Sequence, residues 1–132
     1  MTSEVPVNLD YGQAEISAFL EGARNGQFSF EREAVLEMVG QYDLLLNTLT
    51  TVRKQVGDAA NFKGFGGLQS ALELQDGFSK KATDGATVLD QIIGGIYDIQ
   101  EGYLRAANLV PEIDALNQKR INLAADGVDN HS

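Results

Sequence analysis

Residues 35–59 read VLEMVGQYDLLLNTLTTVRKQVGDA, and after NFKGFGG at 61–67 the chain resumes over 68–106 as LQSALELQDGFSKKATDGATVLDQIIGGIYDIQEGYLRA. In the first stretch Val35, Tyr42, Leu49 and Val56 recur every seven residues, and so do Met38, Leu45, Val52 and Ala59. The two sets alternate by steps of three and four, the spacing that keeps one stripe of a helix facing a partner. No proline interrupts them. After the break one seam runs Leu68, Gln75, Ala82, Leu89, Ile96, Tyr103, Val110, and the other Ala71, Phe78, Gly85, Ile92, Ile99, Ala106. Gln75 and Gly85 are its weak points, and Pro111 is read as its stop.

Between the stretches, Gly64, Gly66 and Gly67 supply the backbone freedom of a tight turn, and Phe62 and Phe65 give that turn an apolar anchor. Two long helices joined by a short turn are expected to lie antiparallel, each burying its stripe on the other. The stripes are wide: Val39 and Leu46 flank the first, and Leu72, Ile93 and Leu104 the second. Gly77, Gly85, Gly94, Gly95 and Gly102 weaken the second helix, each by about 1 kcal/mol relative to Ala, so it needs tertiary support. The expected fold is all-α: an antiparallel helical hairpin with short terminal helices, dimerising into a four-helix bundle or closed by its own terminal segments. The association seam is expected at Tyr42, Leu45, Leu49, Val52, Leu89, Ile92, Ile96, Ile99 and Tyr103.

Outward from the hairpin (residues 29–110), residues 1–28 are expected to be a flexible lead. Pro6, Asn8 and Asp10 read as irregular chain, and Ile16, Phe19, Leu20 and Ala23 mark a short helix over 13–24 that ends near Asn25-Gly26. Ser29 is the expected N-cap of the first long helix, with Glu31 and Glu33 in its positive first turn. Asp76–Lys80 and Glu101–Arg105 are expected as surface pairs four residues apart. Residues 111–132 are expected to hold a short helix, opened by Pro111 and using Ile113, Leu116 and Leu123, and then a polar tail from Ala124.

The chain has 132 residues and a formal net charge of -9. That length allows one modest core. Its ten basic residues are scattered, with pairs only at Arg53-Lys54, Lys80-Lys81 and Lys119-Arg120, so phosphate backbones and anionic membranes are poor partners. There is no cysteine, which removes disulfide and thiolate chemistry. Met1 to Asp10 lacks the basic and apolar regions of a signal peptide, and no run is long enough to span a bilayer.

Candidate chemistry is sparse. His131, the single histidine, stands in the polar tail with no cluster to join. Glu33 and Glu37 share a helix face, but the Glu-x-x-His pairs of a diiron bundle are absent, and a solvated acidic face explains them. No calcium loop is present. Gly64-x-Gly66-Gly67 fails the dinucleotide pattern, with Gln69 where the third glycine belongs, and it lacks a P-loop ending. No enzyme activity, cofactor or metal is expected.

With these features on the page, the chain resembles the Trp-X-Gly family of small secreted proteins, the ESAT-like and EspC-like substrates and associates of type VII secretion in actinobacteria and firmicutes. The residues that carry the resemblance are the Phe62 to Gly67 turn and Tyr97-Asp98-Ile99-Gln100-Glu101 late in the second helix, within an acidic, cysteine-free hairpin over residues 30–110. With no tryptophan in the chain, Phe62-Lys63-Gly64 or Phe65-Gly66 stands in for the turn motif. Tyr11 to Glu15 matches the tyrosine pattern as well, but only Tyr97 lies beyond a glycine turn. The resemblance implies that Tyr97 and Glu101 form part of an export signal read by a secretion ATPase. It also implies a homodimer or a heterodimer with another helical hairpin, and secretion without a classical leader. The rival expectation is a cytoplasmic coiled-coil adaptor with no export role.

Overall fold

The computed structural model of the chain describes residues 10–129, with side chains described to residue 124. Its regular structure is helical throughout the described residues: α1 spans Gln13–Arg24, α2 Arg32–Ala60, α3 Gln69–Ala106 and α4 Val110–Asp129. Pro6, Asn8 and His131 lie outside the described residues. The described chain divides into two compact units, one formed by residues 10–11 and 44–94 and the other by residues 12–43 together with those from 95 onward. The division falls within α2 and α3, so each long helix contributes to both.

In the 44–94 unit the end of α2 meets the start of α3. Arg53 pairs with Asp90 through Nε–Oδ1 at 2.8 Å, and Val56 lies 3.6 Å from where a side chain on Gly85 would begin. Partner numbers fall on α3 as they rise on α2, so these segments run in opposite directions. Gly85, a weak point of the heptad, thus faces Val56. In the connection, Gly66 has φ 102°, open to glycine at no steric cost. The ring of Phe62 lies against Gly64 where a Cβ would collide with it, and Phe65 packs edge-on against Phe62 and Phe78.

In the other unit α3 is enclosed by three helices. Phe19 of α1 sits over Gly102 and against Tyr103, ring centroids 4.9 Å apart. Gln100 of α3 donates to the Val39 carbonyl and to Asp43 of α2, at 3.0 and 2.8 Å. Ile113 and Leu116 of α4 are buried. Here both terminal segments contribute buried side chains to the unit. The lead expected to be flexible carries α1 with Leu20 and Ala23 in the core, and α4 continues past Ala124, where the sequence suggests a frayed tail.

Three further expectations are corrected. Ser29 is not the N-cap of α2, which starts at Arg32, because Phe28 and Phe30 stack 5.9 Å apart, and the Phe30 N–H donates to the Ala106 carbonyl, holding the strap extended beyond Ser29. The end of α3 is set before Pro111 by Asn108 at φ 56°, with the Leu109 N–H returning to the Leu104 carbonyl in a left-handed cap. The buried line of α3 is Ala86, Ile93, Tyr97, Gln100 and Leu104, with Ile96, rather than the seam alone. From Tyr97 onward it is turned towards the flank positions because α1 and α4 pack there as well as α2. Each large apolar side chain so buried contributes about 1.5–3 kcal/mol.

The two units are unequally packed. Among the described residues, Leu46, Ala86 and Ile93 are the three of thirteen buried hydrophobic residues that belong to 44–94, whereas eight of thirteen exposed large ones do. Leu45 and Val52 are 43% and 37% exposed, and Phe78 41%, although all three are seam positions.

Gly102→Ala drives a methyl group into the Phe19 ring, which Phe28 and Tyr103 hold in place. We expect it to cost about 1–3 kcal/mol in urea unfolding. Gly94→Ala meets nothing within 4 Å and is expected to add about 0.5–1 kcal/mol. Equal effects would contradict the close approach at Gly102.

Candidate functional site

The residues singled out by the tyrosine pattern meet in the interior of the 12–43/95–129 unit. Tyr97 and Glu101, one helical turn apart on α3, are 7% and 2% exposed. Burying a carboxylate is costly unless it is paired and hydrogen-bonded, and Glu101 is both. Its Oε2 accepts from Arg105 Nε at 2.6 Å and from Arg24 Nη2 and Nε at 3.1 and 3.3 Å, and its Oε1 from Arg120 Nη1 at 3.4 Å. One carboxylate thus gathers guanidinium groups from α1, α3 and α4. Arg120 also donates to Asp98 at 3.0 Å and lies 5.3 Å above the Tyr97 ring, a cation–π contact.

Burial works to raise the pKa of Glu101, but the hydrogen bonds from Arg105 and Arg24, and then their charges, outweigh it and hold the carboxyl below its ordinary value. The Glu101–Arg105 pair is thus four residues apart as expected, but it is not a surface pair. Asp76–Lys80 is, at 3.6 Å with both side chains exposed. Arg24 and Arg120 are the functional neighbours that sequence reading missed. Nothing local marks a residue 77 positions away as the partner of Glu101.

The other expected positions fall as follows. Phe62, Gly64, Phe65, Gly66 and Gly67 all lie in the α2–α3 connection, where Phe62 is 52% exposed and Phe65 half-buried. Among the seam residues Ile96 is buried, and Tyr42, Leu49, Leu89, Ile92, Ile99 and Tyr103 are half-buried. Tyr42, Ile99 and Tyr103 join Glu15, Ile16 and Phe19 around an open cleft of about 220 Å³. The cleft is apolar, with one carboxylate and two phenols at its edges. Among the described residues no group of three or more His, Cys, Asp or Glu side chains is placed to hold a metal ion. No described helix is long and apolar enough to cross a membrane.

No protein-family model matches this chain, and no curated protein or solved structure is similar enough to it to count as a match.

Glu101→Gln leaves three guanidinium groups around a neutral amide and is expected to destabilise the fold by about 3 kcal/mol at neutral pH. Because the folded carboxyl titrates below its unfolded value, the stability it lends is complete above the unfolded pKa and is lost as pH falls through the folded one. Urea midpoints of wild type and E101Q should therefore converge on acidification. A gap unchanged down to strongly acidic pH would refute the ionic role.

Proposed function

We propose that this chain acts by association, as an antiparallel helical hairpin whose long helices pair with a second hairpin into a four-helix bundle. The observation that carries this reading is the set of apolar side chains that residues 44–94 leave in water. Leu45 and Val52 lie one heptad apart on α2, Leu68 is exposed just before α3, and Leu72, Leu74 and Phe78 are exposed within its first three turns. Exposed large apolar side chains gathered in one segment favour a surface for association. The reading needs no catalytic group, cofactor or metal.

The setting we propose is type VII secretion, with the chain exported by that apparatus or assisting it, on the strength of the turn and of Tyr97 and Glu101. In the folded chain both side chains lie beneath Arg120, so a secretion ATPase that docks them must first lift α4 away. The same burial favours a second reading, an adaptor without an export role in which Tyr97 and Glu101 serve the fold alone.

Export from a host that carries the apparatus separates the two. Leu104→Ala, which removes a side chain 2% exposed on the same helix, serves as the control for simple destabilisation. With a signal at Tyr97 and Glu101, Y97A and E101A lower export at least tenfold while L104A, about 2–5 kcal/mol less stable than wild type, keeps most of it. Export that falls equally in all three variants, or in none, removes the signal assignment, and a wild-type chain that is not exported at all leaves the adaptor.

A further inference from the structure

We infer that the second half of α4 is an ionic latch over an acidic strip of the 12–43/95–129 unit, and that the strip is a docking surface for a basic segment of a partner. That segment presents a Lys-Arg pair where Lys119 and Arg120 now lie. The inference rests on the association reading, to which it adds a site and the chemistry of the partner.

Two different kinds of contact hold α4. Its first half is anchored by Ile113 and Leu116, both buried. Over residues 117–124 every side chain is exposed except Arg120, which is half-buried, so no apolar burial fastens this stretch. Among the described residues its ties to other helices are ionic. Lys119 Nζ meets Asp43 Oδ1 at 3.2 Å, and Arg120 reaches Asp98 at 3.0 Å, Glu101 Oε1 at 3.4 Å and the Tyr97 ring. Ion pairs so open to solvent contribute little singly and weaken with salt. A helix end tied in this way opens locally far more readily than the turn that Ile113 and Leu116 anchor.

The strip beneath keeps its internal partners when the latch lifts. Glu101 retains Arg105 at 2.6 Å and Arg24 at 3.1 Å, and the Arg120 contact is the longest of its bonds. Asp43 retains the Gln100 amide at 2.8 Å. What opens is the Tyr97 ring with Asp98 and Glu101 Oε1 beside it, and Asp43 within reach of the next side chain. That is room for one guanidinium and one further cation.

The present cover identifies the occupant. An arginine fork binds two carboxylates and lies on a ring at once, which a compact ammonium does not. Yet Arg120 fits imperfectly: its Nε is shut off from solvent with no acceptor among the described residues, and an unmet buried donor favours exchange for a better-seated one. Residues 12–43 and 95–129 carry five basic and twelve acidic side chains, a field that draws a basic segment and repels an acidic one.

Amide chemical-shift titration of the full chain at low salt tests this. The probe is a blocked, Ala-rich helical peptide of about eighteen residues with one central Lys-Arg pair. The expected shifts concentrate at Asp43, Tyr97, Asp98 and Glu101 and over 117–124. K119A/R120A, with the strip already vacant, binds the peptide roughly tenfold tighter than wild type or more. K80A/K81A, which changes the net charge equally, binds it as wild type does. Adding Asp43→Asn and Asp98→Asn to K119A/R120A abolishes the gain. In the chain without peptide, amide exchange over 117–124 quickens roughly tenfold from low to high salt, while that over 111–116 changes less than about threefold. Equal tightening in K80A/K81A, or shifts spread as strongly over Glu31, Glu33 and Glu37, means general attraction to an acidic chain and overturns the site. Exchange over 117–124 that ignores salt overturns the latch. A peptide that binds neither wild type nor K119A/R120A removes this partner and leaves the association reading, which stands on the exposed apolar set at residues 44–94. Trypsin that cuts no faster at Arg53, Lys54, Lys80 and Lys81 than at Arg24 and Arg105 removes that reading itself, because the 44–94 segment then needs no cover.

Discussion

The carboxylate of Glu101 is the point on which the better-packed unit turns. It is the common acceptor for Arg24 on α1, Arg105 on α3 and Arg120 on α4, so the two terminal helices are tied to the same turn of α3. A charge buried this deeply is destabilising unless all its partners are in place. The surrounding packing follows from that requirement. Phe19 over Gly102, Gln100 bound to Val39 and Asp43, and Arg120 across Tyr97 all fall within two helical turns of Glu101.

The rest of the sequence is spent differently. Residues 44–94 hold heptad positions as regular as any in the chain, yet most of them are only half-buried, and Leu45, Val52, Leu68 and Phe78 are exposed. Hydrophobic and ionic burial fix one unit, and in the other the same apolar spacing is only partly buried; the association proposed above rests on that difference.

Much of this was legible in the residues alone. The heptads give both long helices, the glycines at 64, 66 and 67 give the break, and Ile16, Phe19, Leu20 and Ala23 give α1 to the residue. The face that each helix buries was less legible. A seven-residue repeat defines a stripe, but over the last turns of α3 the approach of α1 and α4 moves the buried line towards Tyr97 and Leu104, and neither approach can be read from α3 itself. Glu101 was misplaced for the same reason. Beside Arg105 it reads as an ordinary surface pair, and only the distant Arg24 and Arg120 make it an internal one. The start of α2 was read too early because Ser29 has capping chemistry, while the stacking of Phe28 and Phe30 that overrides it depends on tertiary contacts.

Amide hydrogen exchange addresses the account most directly, because it reads the two units separately in one sample. Protection of residues 95–106 around Glu101 should be strong in the wild type and fall sharply in E101Q, while protection of residues 45–56 and 69–90 should be weaker and little changed by that substitution. Equal protection of both regions, or an E101Q chain with undiminished protection of residues 95–106, would contradict the account.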